Sequence, residues 1–249
     1  MYAAASLIYP GPGLSVLRLN PLFPQAPPAH EPTPGNQSSY KLVNDIDLSG
    51  SVRQIFSMSA ISQSALTISW EEYESGEFDS EIRHEFVNGV VYAMAGGSDN
   101  HARIALNIAS ELRQRLKGGP CEAFGSDMKV RIESGTDTFG YYPDVMVACD
   151  PDDNNRYHRE RPIVLFEVIS SSTERTDKHE KMLAYRMIPS LEEYIVLEQS
   201  VPRALIYKRS SDWVPEFLDG MDSELVLQSI DCRLPFSDLY DRVTWPDGQ

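Results

Sequence analysis

Cysteine is scarce in this 249-residue chain, with only Cys121, Cys149 and Cys232. They are odd in number, far apart and free of any C-x-x-C spacing. That argues against a disulfide framework and a zinc knuckle, and fits the thiol usage of a reducing cytoplasm. Long apolar runs are missing too. No stretch approaches the ~18 residues needed to cross a bilayer, so no membrane partner is expected. The opening Met1-Tyr-Ala-Ala-Ala-Ser-Leu-Ile8 lacks an early basic cluster and soon meets Pro10 and Pro12, which makes a poor secretory signal. Positive charge is also short: 22 Lys and Arg against 37 Asp and Glu leave a formal net charge of -15. Tight, non-specific binding of a polyanion over the general surface is thereby disfavoured, because counterion release needs cations on the contact face. A nucleic-acid enzyme with a local basic rim stays within these bounds. There is no internal repeat, helix-turn-helix, zinc finger or basic arm.

What is present divides near residue 60. Eight of the seventeen prolines precede residue 36, with no helical or strand periodicity between them. That is the chemistry of a tail or linker. Residues 1–60 carry three basic groups (Arg18, Lys41, Arg53) and three acidic ones (Glu31, Asp45, Asp47), so all the negative excess sits on 61–249. We therefore expect a disordered Pro-rich extension over 1–57 and one globular domain over 58–249, with Met58 an alternative translation start. The length suits one substantial core.

Within the domain, Phe86-Val-Asn-Gly-Val-Val-Tyr92 reads as a hairpin whose Asn88-Gly89 supplies the positive backbone angles of a tight turn. The segment from Ser98 to Lys117 reads as a helix. Ser98 or Asp99 caps it, Ile104, Ile108, Leu112 and Leu116 repeat down one face, and Gly118-Gly119 stops it. Residues 121–133, 141–149 and 162–170 read as three strands, the third buried on both faces. A helix over about 174–187 ends at Ile188-Pro189, and Glu193 to Glu198 returns as a strand. A further hairpin is expected over 204–209 and 213–218, then a short turn near Leu239.

The run Arg161-Pro-Ile-Val-Leu-Phe-Glu-Val-Ile-Ser170 sets one carboxylate, Glu167, inside an apolar strand. A buried, ionised Glu is costly unless a metal or a paired cation holds it. Upstream, Tyr141-Tyr-Pro-Asp-Val-Met-Val-Ala-Cys149 places Asp144 at the entry to another apolar run. Two acids on neighbouring strands could converge on one cation.

In order and spacing, His84-Glu-Phe-Val-Asn-Gly89, Asn100-His-Ala-Arg103, Tyr142-Pro-Asp-Val145, Glu167-Val-Ile-Ser170 and Asp177-Lys-His-Glu-Lys181 with Tyr185 and Glu193-Tyr194 resemble the PD-(D/E)XK nuclease superfamily. Within it they are most similar to the bacterial putative restriction endonuclease family. The resemblance runs from about Trp70 to Tyr240. It implies a restriction-endonuclease-like α/β fold: a mixed central sheet flanked by the helices after Ser98 and Thr173, with an added β-hairpin region. It implies metal-dependent cleavage of phosphodiester bonds, with DNA the expected partner ahead of RNA and a homodimer expected for cutting both strands. Asp144 and Glu167 match the two acids that bind magnesium, or manganese in its place. The carbonyl of Val168 is a candidate third ligand and Glu85 matches an additional acid. The superfamily's usual Lys stands two residues beyond the Glu, where this chain has Ile169. Lys181 of the following helix matches the family's lysine instead, with Lys178 one turn away and Asp177 beside it as alternates.

Each position also has a plainer account. Asp144 could simply open a strand, Glu85 could be an exposed hairpin acid, and Glu167 could be salt-bridged to Arg161, Lys181 or Arg186. Lys181 and Lys178 could solvate an outer helix face. His101, one turn before Ile104, reads as a core or capping histidine that supports the site from behind. The nuclease reading requires Asp144, Glu167 and Lys181 to meet in one cleft. Its rivals are a catalytically degenerate nuclease fold serving as a nucleic-acid-binding or protein-interaction module, and hydrolysis of a smaller phosphate ester. A site without a basic groove would favour the latter.

Overall fold

The computed structural model describes residues 67–169 and 177–245, with the backbone alone at 177–179. The extension expected over 1–57 lies outside the described residues. In chain order the elements are α1 (Trp70–Phe78), β1 (His84–Val87), β2 (Val90–Ala93), α2 (Asp99–Arg115), β3 (Glu122–Gly125), β4 (Lys129–Ser134), β5 (Asp137–Tyr141), β6 (Val145–Ala148) and β7 (His158–Arg159). After them come β8 (Pro162–Ile169), α3 (Asp177–Tyr185), β9 (Glu193–Glu198), β10 (Arg203–Lys208), β11 (Glu216–Asp219), β12 (Glu224–Leu227), β13 (Cys232–Pro235) and α4 (Phe236–Leu239).

A mixed central sheet has the order β11-β10-β9-β8-β6-β3, in which β8 and β9 run parallel and the other neighbours antiparallel. Alternation along β8 sorts its side chains between two cores. Val164, Phe166 and Val168 face one side, where they pack with Ile104, Ile108 and Leu112 of α2. Leu165 and Ile169 face the other, with Ala184 and Tyr185 of α3 and with Val130, Ile132, Phe139 and Tyr141 of a second sheet. That second sheet, ordered β2-β1-β5-β4-β7, covers the face opposite α2. Its outer side carries the small cluster of Trp70, Tyr73 and Phe86 beneath α1.

The local signals act where they stand. Asn88 and Gly89 take φ of 48° and 89° and turn β1 into β2. Ser98 Oγ accepts the amide N–H of His101 and caps α2. Ser69 and Glu72 form a reciprocal capping box at the start of α1. Among the described residues no helix is long and apolar enough to cross a membrane.

Three expectations change. The strand expected over 121–133 is two, β3 and β4, joined by a turn in which Met128 N–H donates to Gly125 O. The strand expected over 141–149 breaks at Tyr142-Pro143 into β5 and β6 and so belongs to both sheets, because Pro lacks a ladder donor and restricts the residue before it. Finally, Cys121 and Cys149 form a disulfide across a Cα–Cα distance of 3.9 Å. They stand one step beyond the β3–β6 pair Glu122↔Ala148, so strand pairing brings them together where sequence spacing gave no hint. Cys232 is the free thiol, and it is buried. With two of the three sulfurs bonded, the cysteine count no longer argues for a reducing compartment.

Candidate active site

Register explains how the two strand acids come to face each other. β6 and β8 pair as Val145↔Phe166 and Met146↔Leu165. Carried one residue on, the same register sets Asp144 opposite Glu167. Both lie on the face that Met146 and Leu165 share, toward the second sheet. Asp144 Oδ2 accepts the amide N–H of Val168 at 2.7 Å, which ties the acid to the neighbouring strand. Its other anchor comes from α2, where His101 Nε2 lies 3.1 Å from Oδ2. The hydrogen bond to Asp144 holds the imidazole pKa above its ordinary value, outweighing burial. The loop leading into Asp144 is pinned as well, since Tyr142 donates to Glu77 Oε1 at 3.0 Å.

Glu167 is buried, and its partners come from α3. The Lys181 ammonium lies 3.3 Å from Oε1, and the Tyr185 hydroxyl donates to the same oxygen at 2.8 Å. Lys181 also ion-pairs with Glu85 Oε1 at 2.7 Å, so one ammonium bridges acids from two sheets. Burial pushes Glu167 up to about 7, although Lys181 opposes the shift, while Asp144 and Glu85 add to it. Burial alone would lower Lys181, but the carboxylates of Glu167 and Glu85 outweigh it and hold the lysine raised and charged.

Glu85, His101, Asp144, Glu167, Val168 and Lys181 line one cavity of about 820 Å³. The side chains of Asp177 and Lys178 lie outside the described residues, although both belong to α3. Of the three salt-bridge partners considered for Glu167, Lys181 is the one in contact. Tyr185 is the main participant that site reasoning passed over. It stands four residues after Lys181, and that spacing put it on the same helix face. Tyr92, Tyr141 and Glu180 also line the cavity without having been singled out. The Tyr141 hydroxyl is buried with no hydrogen-bond partner among the described residues, and burial raises its pKa, so it remains a neutral donor.

The donors of the cavity are carboxylate and carbonyl oxygens, the set preferred by a hard divalent cation. Among the described residues no three His, Cys, Asp or Glu side chains are gathered closely enough to hold a metal as they stand. Between Glu85 and Glu167 the positive charge is that of Lys181. In donor chemistry alone the set suits a magnesium-type ion, which Asp144, Glu167 and the Val168 carbonyl would hold, with Glu85 extending the shell.

The fold and cavity define a restriction-endonuclease-like α/β protein. Residues 70–234 match the model of the Uma2 family, described as "Putative restriction endonuclease", and the chain belongs to that family. Two uncharacterized proteins of Synechocystis sp. are similar to it. One, slr1290, is 35% identical over 147 residues, covering 58% of this chain and 76% of its own. The other, sll1609, is 33% identical over 159 residues, covering 62% and 89%. Among solved structures, one titled as a putative nuclease belonging to DUF820 from Anabaena variabilis superposes with a TM-score of 0.55 at 14% identity. It covers 66% of this chain and 93% of that one, a likeness of fold.

Proposed function

We propose that this protein is a metal-dependent endonuclease that hydrolyses phosphodiester bonds in DNA. The observation that carries the reading is the meeting of Asp144, Glu167 and Lys181 in one cavity, with Glu85 on the far side of the lysine. A bound magnesium or manganese ion would supply an acidified water and neutralise charge on the phosphoryl group. The chain's own residues prepare for that. Val168 N–H and His101 hold Asp144 through Oδ2, and Tyr185 fixes Glu167 through Oε1, which leaves the second oxygen of each acid for a cation. Lys181, kept charged by its two acids, is the group that would offset negative charge building on the phosphorane. In this role it replaces the strand lysine that Ile169 displaces. Cleavage of both strands of a duplex would take two such sites, hence a homodimer.

The test is calorimetric titration of magnesium and manganese into wild type and Glu167→Ala, with nicking of plasmid and single-stranded DNA measured in parallel. Binding and nicking that vanish together in the variant support the proposal. A folded wild type that binds neither metal moves the reading to a degenerate binding module. One observation favours the smaller-ester alternative as a second reading: among the described residues lining the cavity, Lys181 is the single Lys or Arg. A wild type that hydrolyses a simple phosphodiester while leaving DNA intact would establish it.

A further inference from the structure

We propose that the substrate is an unpaired polynucleotide strand, seated by stacking a base on Tyr92 beside the scissile phosphate. The proposal rests on the nuclease reading above and names the substrate class of that same cavity. In the β1–β2 hairpin, Tyr92 stands directly opposite Glu85. Residues opposite one another in an antiparallel pair project from the same face, so the ring flanks the acid that Lys181 holds. Tyr92 lines the cavity yet is 54% exposed, which leaves a large aromatic face free at its edge. The wall continues through Ala93, Met94, Ala95 and Gly96, all uncharged. A base could lie along that surface with little desolvation of ions.

Among the described residues the charge pattern disfavours an intact duplex. Glu85, Asp144, Glu167 and Glu180 line the cavity against Lys181, whose ammonium already serves two carboxylates, and His101, which is paired with Asp144. Duplex binding draws its affinity from many phosphate contacts, and the described lining offers no spare cation to make them. Stacking adds affinity that does not come from charge, because every base has a π-face, so a single strand asks less of the cations than a duplex does. The cavity, at about 820 Å³, has the volume of a nucleotide-sized pocket. A single strand also needs only one site per cut, so activity on it requires no second copy.

The experiment is fluorescence anisotropy of a labelled mixed-sequence single strand, as DNA and as RNA, and of the same DNA as a duplex. Wild type, Tyr92→Ala and Tyr92→Phe are titrated in calcium buffer at several salt concentrations, and wild-type cleavage in magnesium or manganese is scored separately. We expect the single strand to bind at least tenfold more tightly than the duplex, with a salt dependence shallower than that of the duplex. Tyr92→Ala should weaken it roughly tenfold, and Tyr92→Phe should keep the affinity. The tighter of the DNA and RNA strands identifies the source of the same chemistry. Equal or tighter duplex binding, a Tyr92→Ala variant that binds like wild type, or no binding of any strand overturns the proposal. Tyr92-dependent binding of single strands without any cleavage would sink the nuclease reading alone. Cleavage without strand discrimination would sink this proposal and spare the nuclease.

Discussion

At the scale of single residues, the site is an electrostatic balance around Lys181. One ammonium holds two acids, and Glu167 is raised from the ordinary 4.5 to about 7 because burial outweighs that help. The sign follows directly. An acid whose folded pKa is raised contributes stability that is fully present below its unfolded value and is lost as pH rises through the folded one. The cost to wild-type stability therefore builds between about pH 4.5 and 7 and persists in full above that. Lys181→Met removes the charge that restrains the shift, so the midpoint of Glu167 should move higher and the penalty keep growing beyond pH 7. Urea unfolding should find a smaller deficit near pH 5, where Glu167 is protonated and the loss is that of the Glu85 pair. Near pH 8.5, where the acid ionises without its partner, the deficit should reach about 3–5 kcal/mol. A deficit as large at pH 5 as at pH 8.5 would contradict this account. His101 shows what residue-level reading could reach. A supporting histidine was expected from its place on the helix, but its contact with Asp144 depends on where α2 lies across the sheet.

At the scale of elements, β8 was the most legible, because an apolar, β-branched run with one acid can be little other than a buried strand. The helix α2 was legible through its cap and its four-residue apolar repeat, and the β1–β2 hairpin through Asn88-Gly89. The helix α1 was not, since its apolar residues do not repeat as a clear stripe. It buries only Trp70 and Tyr73. What seats it is the opposing sheet: a Cβ added at Gly140 of β5 would stand 2.6 Å from the Trp70 ring. Gly140→Ala should therefore push Trp70 off the sheet and cost about 1–3 kcal/mol, as overpacked cores do. The midpoint of urea denaturation measures it, and an unchanged midpoint would mean that the ring moves freely. The run split into β5 and β6 carries a lesson of its own. Propensity continues through Tyr142-Pro143, whereas the ladder cannot.

At the scale of the whole molecule, two sheets and α3 enclose the cavity, and the Cys121–Cys149 bond ties the edge strand β3 to β6. The cysteines are separated by 28 residues, for which loop-closure entropy predicts a contribution of about 3.6 kcal/mol. The paired Cys121→Ser and Cys149→Ser variant should melt roughly 7–14 °C below the oxidised protein. Wild type in reductant should follow the variant. If reductant leaves the melting temperature unchanged, the bond contributes nothing to stability.

The sequence by itself determined which residues could carry the chemistry. A carboxylate in an apolar strand, an acid at a Pro-Asp entry and a lysine on the helix between strands are local facts, and they also supported the family resemblance. Only the tertiary structure decided which of them meet. The β6–β8 register set Asp144 opposite Glu167, and sheet-on-sheet packing brought Glu85 to Lys181. Strand pairing closed the disulfide, and the hairpin register turned Tyr92 toward the acids. The reason is physical: composition and period specify an element and its buried face, whereas register and packing are fixed by partners far away in the chain.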